Sequence, residues 1–134
     1  MRPILLIILL ISSSLFAHQK MNKSMHELLC AHSWKMVRMT DITGSKRSMD
    51  ANYLSVITTF KKDGTLSSNS KGKITTDTWQ LNEQDSTIIT SQINDPKSAQ
   101  EKERIISIDD TYFVVQITYR GNNIMQYDYE ATNE

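Results

Sequence analysis

The chain has 134 residues, and its 15 Lys and Arg residues balance its 15 Asp and Glu residues, so the formal net charge is zero. A neutral chain lacks the surplus of positive charge with which proteins bind phosphates, and nucleic acid is therefore excluded as an expected partner. Hydrophobic residues make up 39% and charged residues 22%, a composition typical of a folded globular domain. The length suits a single domain.

The first residues have the layout of a secretory signal peptide. Arg2 supplies a positive charge, Ile4 to Ile11 is an uninterrupted aliphatic run, and Ala17 is a small residue at the expected cleavage position. The apolar run is shorter than the about 20 residues that a transmembrane helix needs. We therefore expect residues 1–17 to be removed and residues 18–134 to form the mature domain. The protein is expected to be exported, either to a periplasm or out of the cell, without stable membrane insertion.

A short helix is predicted from Met25 to Ala31. Ser24 and Glu27 match a capping box, in which each side chain accepts a hydrogen bond from the backbone N–H of the other residue. Apolar residues at helical spacing follow the box and give the helix one apolar face.

Imidazole and thiol groups, which are ligands for zinc and copper, are concentrated around this helix. They belong to His18, His26, Cys30 and His32, which are all the His and Cys residues of the chain. No second Cys and no pair of residues at metal-site spacing accompanies them. We therefore predict solvated His side chains, a small core Cys30, and neither a metal nor another cofactor. The alternatives are a copper or zinc site at His26 and Cys30, which are four residues apart on one helical face, and copper chelation by a terminal His18.

Three hairpin signals lie in the remainder of the chain. Asp63-Gly64, Asp85-Ser86 and Asp109-Asp110 each separate two runs rich in β-branched or aromatic residues. Asp-Gly is a strong hairpin signal because both residues tolerate the positive φ of a tight turn. The series predicts an antiparallel meander.

Eight strands are predicted after the helix, and most of them alternate apolar and polar residues, as strands between a core and water do. This number of strands with short connections favours an up-and-down antiparallel β-barrel, with a flattened two-sheet sandwich as the alternative. The predicted strands are Trp34–Thr40, Asn52–Lys61, Thr65–Lys71, Lys73–Asn82, Thr87–Ile93, Gln100–Ile108, Thr111–Tyr119 and Ile124–Ala131.

Five short motifs are spread along the mature chain. They are Leu28-Leu29, Trp34-Lys35-Met36, Phe60 to Thr65, Thr78 to Leu81 and the apolar run Ile105 to Val115. Their order resembles that of the small exported lipocalin-like domains of bacteria. That resemblance implies an eight-stranded barrel with a short N-terminal helix. It also implies an Arg stacked on the first-strand Trp, for which Arg38 and Arg120 are the candidates. The lipocalin motif has Gly where this chain has His32.

The resemblance further implies a barrel interior that holds a small hydrophobic or amphipathic ligand. Ligand pockets are mostly apolar, so the large apolar residues of the predicted strands are the expected lining. Small barrels can also be filled by their own side chains, and this alternative stays open. The expected lining residues are Trp34, Phe60, Trp79, Phe113, Val115, Ile117, Met125 and Tyr127.

Catalysis is not predicted. The chain has no His and no Cys after Ser33, and the Asp residues fall mainly at turns, where side-chain hydrogen bonds to the backbone explain them. Asp77 lies within a predicted strand and is expected to point outward or to be hydrogen-bonded. We predict that the protein is not an enzyme. The alternative to a ligand carrier is a non-catalytic interaction or inhibitor module that uses the polar loops Ile42–Ala51 and Asn94–Gln100.

Overall fold

A computed structural model describes residues 22–44, 47–50, 55–95 and 99–133. The predicted signal peptide lies outside these residues. The described part of the chain contains one helix, α1 Met25–Ala31, and nine strands. The strands are β1 Ser33–Asp41, β2 Ser48–Asp50, β3 Val56–Phe60, β4 Thr65–Ser70, β5 Lys73–Asn82, β6 Thr87–Gln92, β7 Glu101–Ile108, β8 Tyr112–Tyr119 and β9 Asn123–Thr132.

Eight of these strands close into an antiparallel barrel. Each strand from β3 to β9 pairs with its neighbour in sequence, and β1 pairs with β3 on one side and with β9 on the other. The predicted barrel is therefore confirmed, and the sandwich alternative is wrong. No helix in the described ranges combines the length and the apolarity needed to cross a bilayer.

The strand β2 lies in a segment that was predicted to be a polar loop, Ile42–Ala51. It pairs with the last part of β1, through Arg38 opposite Asp50 and Thr40 opposite Ser48. The strand β3 covers β1 only from Ser33 to Lys35, so β2 satisfies backbone groups that β3 leaves unpaired. Within the described residues the predicted second strand begins at Val56, and the first part of that prediction, residues 52–54, lies outside the described ranges.

The helix α1 closes one end of the barrel. The predicted capping box is confirmed: the Glu27 N–H donates to Ser24 Oγ at 3.2 Å, and the Ser24 N–H donates to Glu27 Oε2 at 2.7 Å. These bonds satisfy backbone donors that a helix of this length leaves free. Leu29 is fully buried beneath the helix, which fixes α1 over the strand ends.

The two ends of the barrel differ in their connections. The helix end carries α1 and the β3–β4, β5–β6 and β7–β8 turns, whereas the loop end carries the β1–β2, β4–β5, β6–β7 and β8–β9 connections. The two loops considered as recognition loops, Ile42–Ala51 and Asn94–Gln100, thus both leave from the loop end.

The β3–β4 turn has the geometry that its Asp-Gly pair predicts. Gly64 adopts a φ of 87°, and its N–H donates to the Lys61 carbonyl at 3.1 Å. The Asp63 carboxylate accepts the Thr65 N–H at 2.9 Å, and the hydrogen bonds from Thr65 hold the pKa of Asp63 below its usual value. A Cβ on Gly64 would meet Trp79 O at 3.8 Å, so backbone strain and not lack of space restricts this position.

We expect Gly64→Val to destabilise the protein more than Gly72→Ala. Both glycines have positive φ, 87° and 85°, but a β-branched side chain is strained most in this region. The expected losses of unfolding free energy are about 2 kcal/mol for Gly64→Val and about 1 kcal/mol for Gly72→Ala. Thermal denaturation of the two variants measures the difference, and equal midpoints would contradict this account.

Candidate functional site

The helix-end half of the barrel is packed by large apolar side chains. Ring centroids lie 5.4 Å apart for Trp34 and Phe113, 5.1 Å for Phe60 and Trp79, and 5.3 Å for Phe113 and Tyr129. Aromatic pairs at these distances add to the stabilisation from burial. The buried apolar residues are Leu29, Trp34, Met36, Phe60, Leu66, Trp79, Ile88, Ile105, Phe113, Val115 and Tyr129. They form the floor of the barrel.

Both indole groups of this floor are tied to the backbone at the helix end. Trp34 Nε1 donates to the Leu29 carbonyl of α1 at 3.0 Å, and Trp79 Nε1 donates to the Lys61 carbonyl at 2.9 Å. Buried indole N–H groups need such acceptors. The two hydrogen bonds therefore attach the floor to the helix and to the β3–β4 turn.

The expected stacking of Arg on Trp34 is wrong. Arg38 lies on the outer wall, 62% exposed, with its Nη1 3.8 Å from Asp128 Oδ2. Arg120 lies in the β8–β9 connection at the opposite end of the barrel. The ring of His32 packs edge-on against Trp34 at 5.6 Å instead, and its Nε2 lies 3.3 Å from Asp110 Oδ1.

The inner wall of the loop-end half has two unlike sides. In an antiparallel barrel, residues directly opposite each other on neighbouring strands share a face, so the register assigns every inner position. From β3 to β7 the inner positions of this half are mainly polar, with Val56 as the apolar exception. They include Thr58, Ser68, Lys73, Asp77, Thr90, Glu101 and Glu103. On β8, β9 and β1 they carry mainly apolar residues and tyrosines, namely Ile117, Tyr119, Met125, Tyr127 and Met39. This half of the interior is therefore amphipathic.

Glu103 is the unusual member of the polar side. It lies opposite Ile88 and Ile117 and two residues before the buried Ile105. Its carboxylate has no hydrogen bond or ion pair within the described part of the chain. Burial, reinforced by the negative charge of Glu101, raises the pKa of Glu103 from 4.5 to about 7. A carboxyl group inside the barrel thus changes its charge near neutral pH.

Two tyrosines lie within reach of this charge. Burial is the main cause that raises the pKa of Tyr127 and of Tyr129, and the negative charge of Glu103 raises both further. Tyr129 belongs to the floor, whereas Tyr127 is only partly buried. Glu103 therefore lies near the boundary between the packed floor and the amphipathic half.

A cavity of about 280 Å³ opens at the loop end, between β5, β6 and the start of β7. Asp77, Thr90 and Glu101 of the inner wall belong to its lining, together with Ser91, Gln92, Ala99 and Gln100. Asp77 therefore faces inward, opposite Leu66 and Gln92, and it makes no hydrogen bond among the described residues. The expectation that Asp77 is outward or hydrogen-bonded is wrong. The cavity connects the polar side of the inner wall with solvent.

All eight residues that were predicted to line a cavity lie on the inner wall. Trp34, Phe60, Trp79, Phe113 and Val115 belong to the packed floor. Ile117, Met125 and Tyr127 lie on the apolar side of the loop-end half and are partly buried. Contact of any of the eight with a ligand stays a prediction.

The sequence prediction did not include the polar inner residues. Glu103 stands in the alternating run Glu101-Lys102-Glu103-Arg104, which resembles a solvated strand edge. Its position relative to Ile105 would have identified it. Successive side chains alternate between the two faces of a strand, so Glu101 and Glu103 lie on the same face as Ile105, whereas Lys102 and Arg104 lie on the other face. Thr58 and Thr90 carry no comparable signal, since threonine suits either face of a strand.

A second cavity, of about 550 Å³, lies outside the barrel at the helix end. His26 stacks on Trp79 there, with ring centroids 5.2 Å apart, and Lys62 and Glu83 complete its polar rim. The expectation of solvated histidines is thus correct only in part, since His26 and His32 are partly exposed and each also packs against a tryptophan.

Cys30 packs against the core, as predicted, and burial raises the pKa of its thiol. Within the described ranges, no three His, Cys, Asp or Glu side chains come together as a metal site. His18 lies outside those ranges, so its proposed role as a copper ligand stays a prediction.

A scan against protein-family models finds none that matches this chain, and a search of curated proteins finds no similar sequence. The closed barrel and the two-sided inner wall therefore carry the functional argument.

Proposed function

We propose that the protein binds a small amphipathic molecule in the loop-end half of its barrel. The observation that carries this proposal is the contrast between the polar inner positions of β3–β7 and the apolar and tyrosine positions of β8 and β9. An eight-stranded barrel has room for one small ligand. Pockets of this kind combine apolar surface with a few polar groups that fix orientation.

The packed floor supports the same proposal from the other end. The aromatic contacts of Trp34 and Phe113 and the helix above them occupy the helix-end half. A ligand would therefore enter at the loop end, through the cavity beside Asp77 and Glu101. In this proposal the protein is a lipocalin-like carrier that acts after export, without a catalytic step.

Native mass spectrometry of protein purified from its own host tests the proposal. We expect a retained small molecule that is released on denaturation. Ile117→Trp should abolish its retention, because the larger ring would occupy the apolar side of the loop-end half. Thr118→Trp is the matched control, since Thr118 is exposed on the outer wall of the same strand.

Two results would contradict the proposal. One is a wild-type protein that retains no molecule and binds no apolar fluorescent probe. The other is an Ile117→Trp variant that keeps its fold by circular dichroism and retains the molecule as well as Thr118→Trp does.

An interaction module is the second candidate, and one observation favours it. Ile93, in the β6–β7 connection at the loop end, is 47% exposed, and loops on a rigid scaffold commonly carry recognition residues. In this case native mass spectrometry would show a bound protein in place of a small molecule. Ile93→Ser should then release that partner, whereas Ile117→Trp should not.

A further inference from the structure

We infer that the ligand is a small organic cation, and that its protonated amine lies at the Glu103 carboxylate. This inference rests on the proposed function, because it names the chemical class of the molecule that the barrel would hold. Three features carry it: the sign of the charges on the inner wall, the unpartnered state of Glu103, and the apolar surface beside Glu103.

The charges on the inner wall of the loop-end half are mainly negative. Asp77, Glu101 and Glu103 share this face, and Asp41 reaches it at the rim. The only basic side chain at a described inner position is Lys73, which is exposed at the start of β5. The two basic residues of β7, Lys102 and Arg104, lie on the outer wall. A cationic ligand therefore meets complementary charge here, and an anion meets repulsion.

Glu103 differs from Asp41, the acidic residue at the rim, because its carboxylate has no hydrogen-bond partner among the described residues. Asp41 accepts hydrogen bonds from the backbone N–H groups of Thr43 and Gly44 at 3.2 and 2.8 Å, and the Tyr119 hydroxyl lies 3.4 Å from its carboxylate. Glu103 has no such bond among the described residues. A half-buried carboxylate without a partner is unfavourable, and a ligand ammonium would supply the missing charge-assisted hydrogen bond.

The wall beside Glu103 suits the rest of such a ligand. Ile117 is the register partner of Glu103 on the neighbouring strand β8, and Met125 is the partner of Ile117 on β9. These side chains offer apolar surface, and the Tyr127 ring adds an aromatic face that attracts cations. An amine with a short apolar or aromatic body would thus satisfy both sides of the interior at once.

Isothermal titration calorimetry with three probes of the same shape tests this inference. The probes are 2-phenylethylammonium, 2-phenylethanol and phenylacetate, titrated at about pH 8, where Glu103 is mostly ionised. We expect the cation to bind most tightly and the anion least. Glu103→Gln should weaken binding of the cation by about tenfold or more and leave that of the alcohol nearly unchanged.

Glu130→Gln is the matched control. Glu130 is exposed on the outer wall of β9, so this change removes the same charge from the protein but not from the interior. The Glu130→Gln variant should bind the cation with the same affinity as the wild type. An equal loss in Glu130→Gln and Glu103→Gln would show that net charge, and not the Glu103 site, attracts the cation, and would overturn the inference.

The pH dependence of cation binding provides a second measurement. Affinity should fall as the pH drops from about 8 to about 5.5 in the wild type, because Glu103 becomes protonated, and it should change less in Glu103→Gln. The inner positions of β6 and β8 nearest Glu103 hold no titratable side chain. Among the described residues, the other titratable groups that face the interior are Asp41, Asp77, Glu101, Lys73, Tyr119, Tyr127 and Tyr129.

The three probes separate failure of this inference from failure of the proposed function. Equal affinity for the cation and the alcohol would overturn the cation preference and leave a ligand-binding barrel. A cation preference that survives Glu103→Gln would overturn the role of Glu103. Binding of none of the probes would count against both proposals.

Discussion

Trp34→Ala is expected to lower the unfolding free energy by about 3–5 kcal/mol. Trp34 is fully buried, packs on Phe113 at 5.4 Å and donates its indole N–H to the Leu29 carbonyl at 3.0 Å. Truncation leaves a cavity in the floor and a buried carbonyl without its donor. The loss is a large part of the about 5–15 kcal/mol that stabilises a typical domain, so the variant should be partly unfolded at physiological temperature.

Urea denaturation measures this effect, with Trp34→Phe and Trp79→Ala for comparison. Trp34→Phe keeps an aromatic ring and loses the hydrogen bond, and its cost should be the smaller of the two changes at this position. Trp79→Ala should cost less than Trp34→Ala, because Trp79 borders the outer cavity beside His26 and its removal opens onto solvent. A loss below about 1 kcal/mol for Trp34→Ala would show that this residue does not hold the floor together.

The second large effect is a fall in stability as the pH rises, caused by Glu103. The pKa of Glu103 is about 7 in the folded protein and 4.5 when the residue is not buried, as in the unfolded chain. Between these two pH values the folded state therefore holds more bound protons than the unfolded state, up to one. Stability must then decrease across this interval as the pH rises, and the decrease ends above about pH 7, where both states are ionised. At ~1.4 kcal/mol per pKa unit, the full effect is ~3–4 kcal/mol. Solvent that reaches the carboxylate reduces it.

Glu103→Gln should remove this decrease. The variant is expected to match the wild type at about pH 4 and to be more stable by up to ~3–4 kcal/mol at about pH 8. Denaturant unfolding of both proteins over this range measures the difference, and Glu130→Gln serves as an exposed control. Parallel stability curves for the wild type and Glu103→Gln would rule out a raised pKa.

Other acids act in the opposite direction and at lower pH. Hydrogen bonds within the capping box lower the pKa of Glu27, and backbone hydrogen bonds at the β7–β8 turn lower that of Asp109. Their contributions are present above the unfolded pKa and are lost as the pH falls through the folded one. The difference between wild type and Glu103→Gln isolates the Glu103 effect, because these groups are common to both proteins.

Local signals in the sequence were sufficient for most of the fold. The capping box of Ser24 and Glu27 located α1, and the alternation from Lys73 to Asn82 located β5 with the bounds that the structure has. Asp63-Gly64 located its hairpin because the φ requirement is local. In each case the residues that specify the element lie within the element or its turn.

The features that were missed depend on partners far away in the sequence. Ser48–Asp50 has no strand pattern of its own and is a strand because part of β1 lacks a neighbour. Glu103 appears solvated in the sequence, and only the register with Ile88 and Ile117 places it inside. His26 was expected in solvent because its contact, Trp79, lies on β5. A sequence pattern records periodicity, but it does not record which distant strand completes the surroundings of a residue.

The pairing of β1 with β9 also bears on how the chain folds. It joins residues near the two ends of the described chain, such as Ser33 and Thr132, and loop-closure entropy makes contacts of such long sequence separation slow to form. During synthesis, β1 and β8 remain open sheet edges until β9 has left the ribosome. Open edges pair readily with other chains, so a nascent or truncated chain that lacks β9 is exposed to aggregation until β9 pairs with both edges.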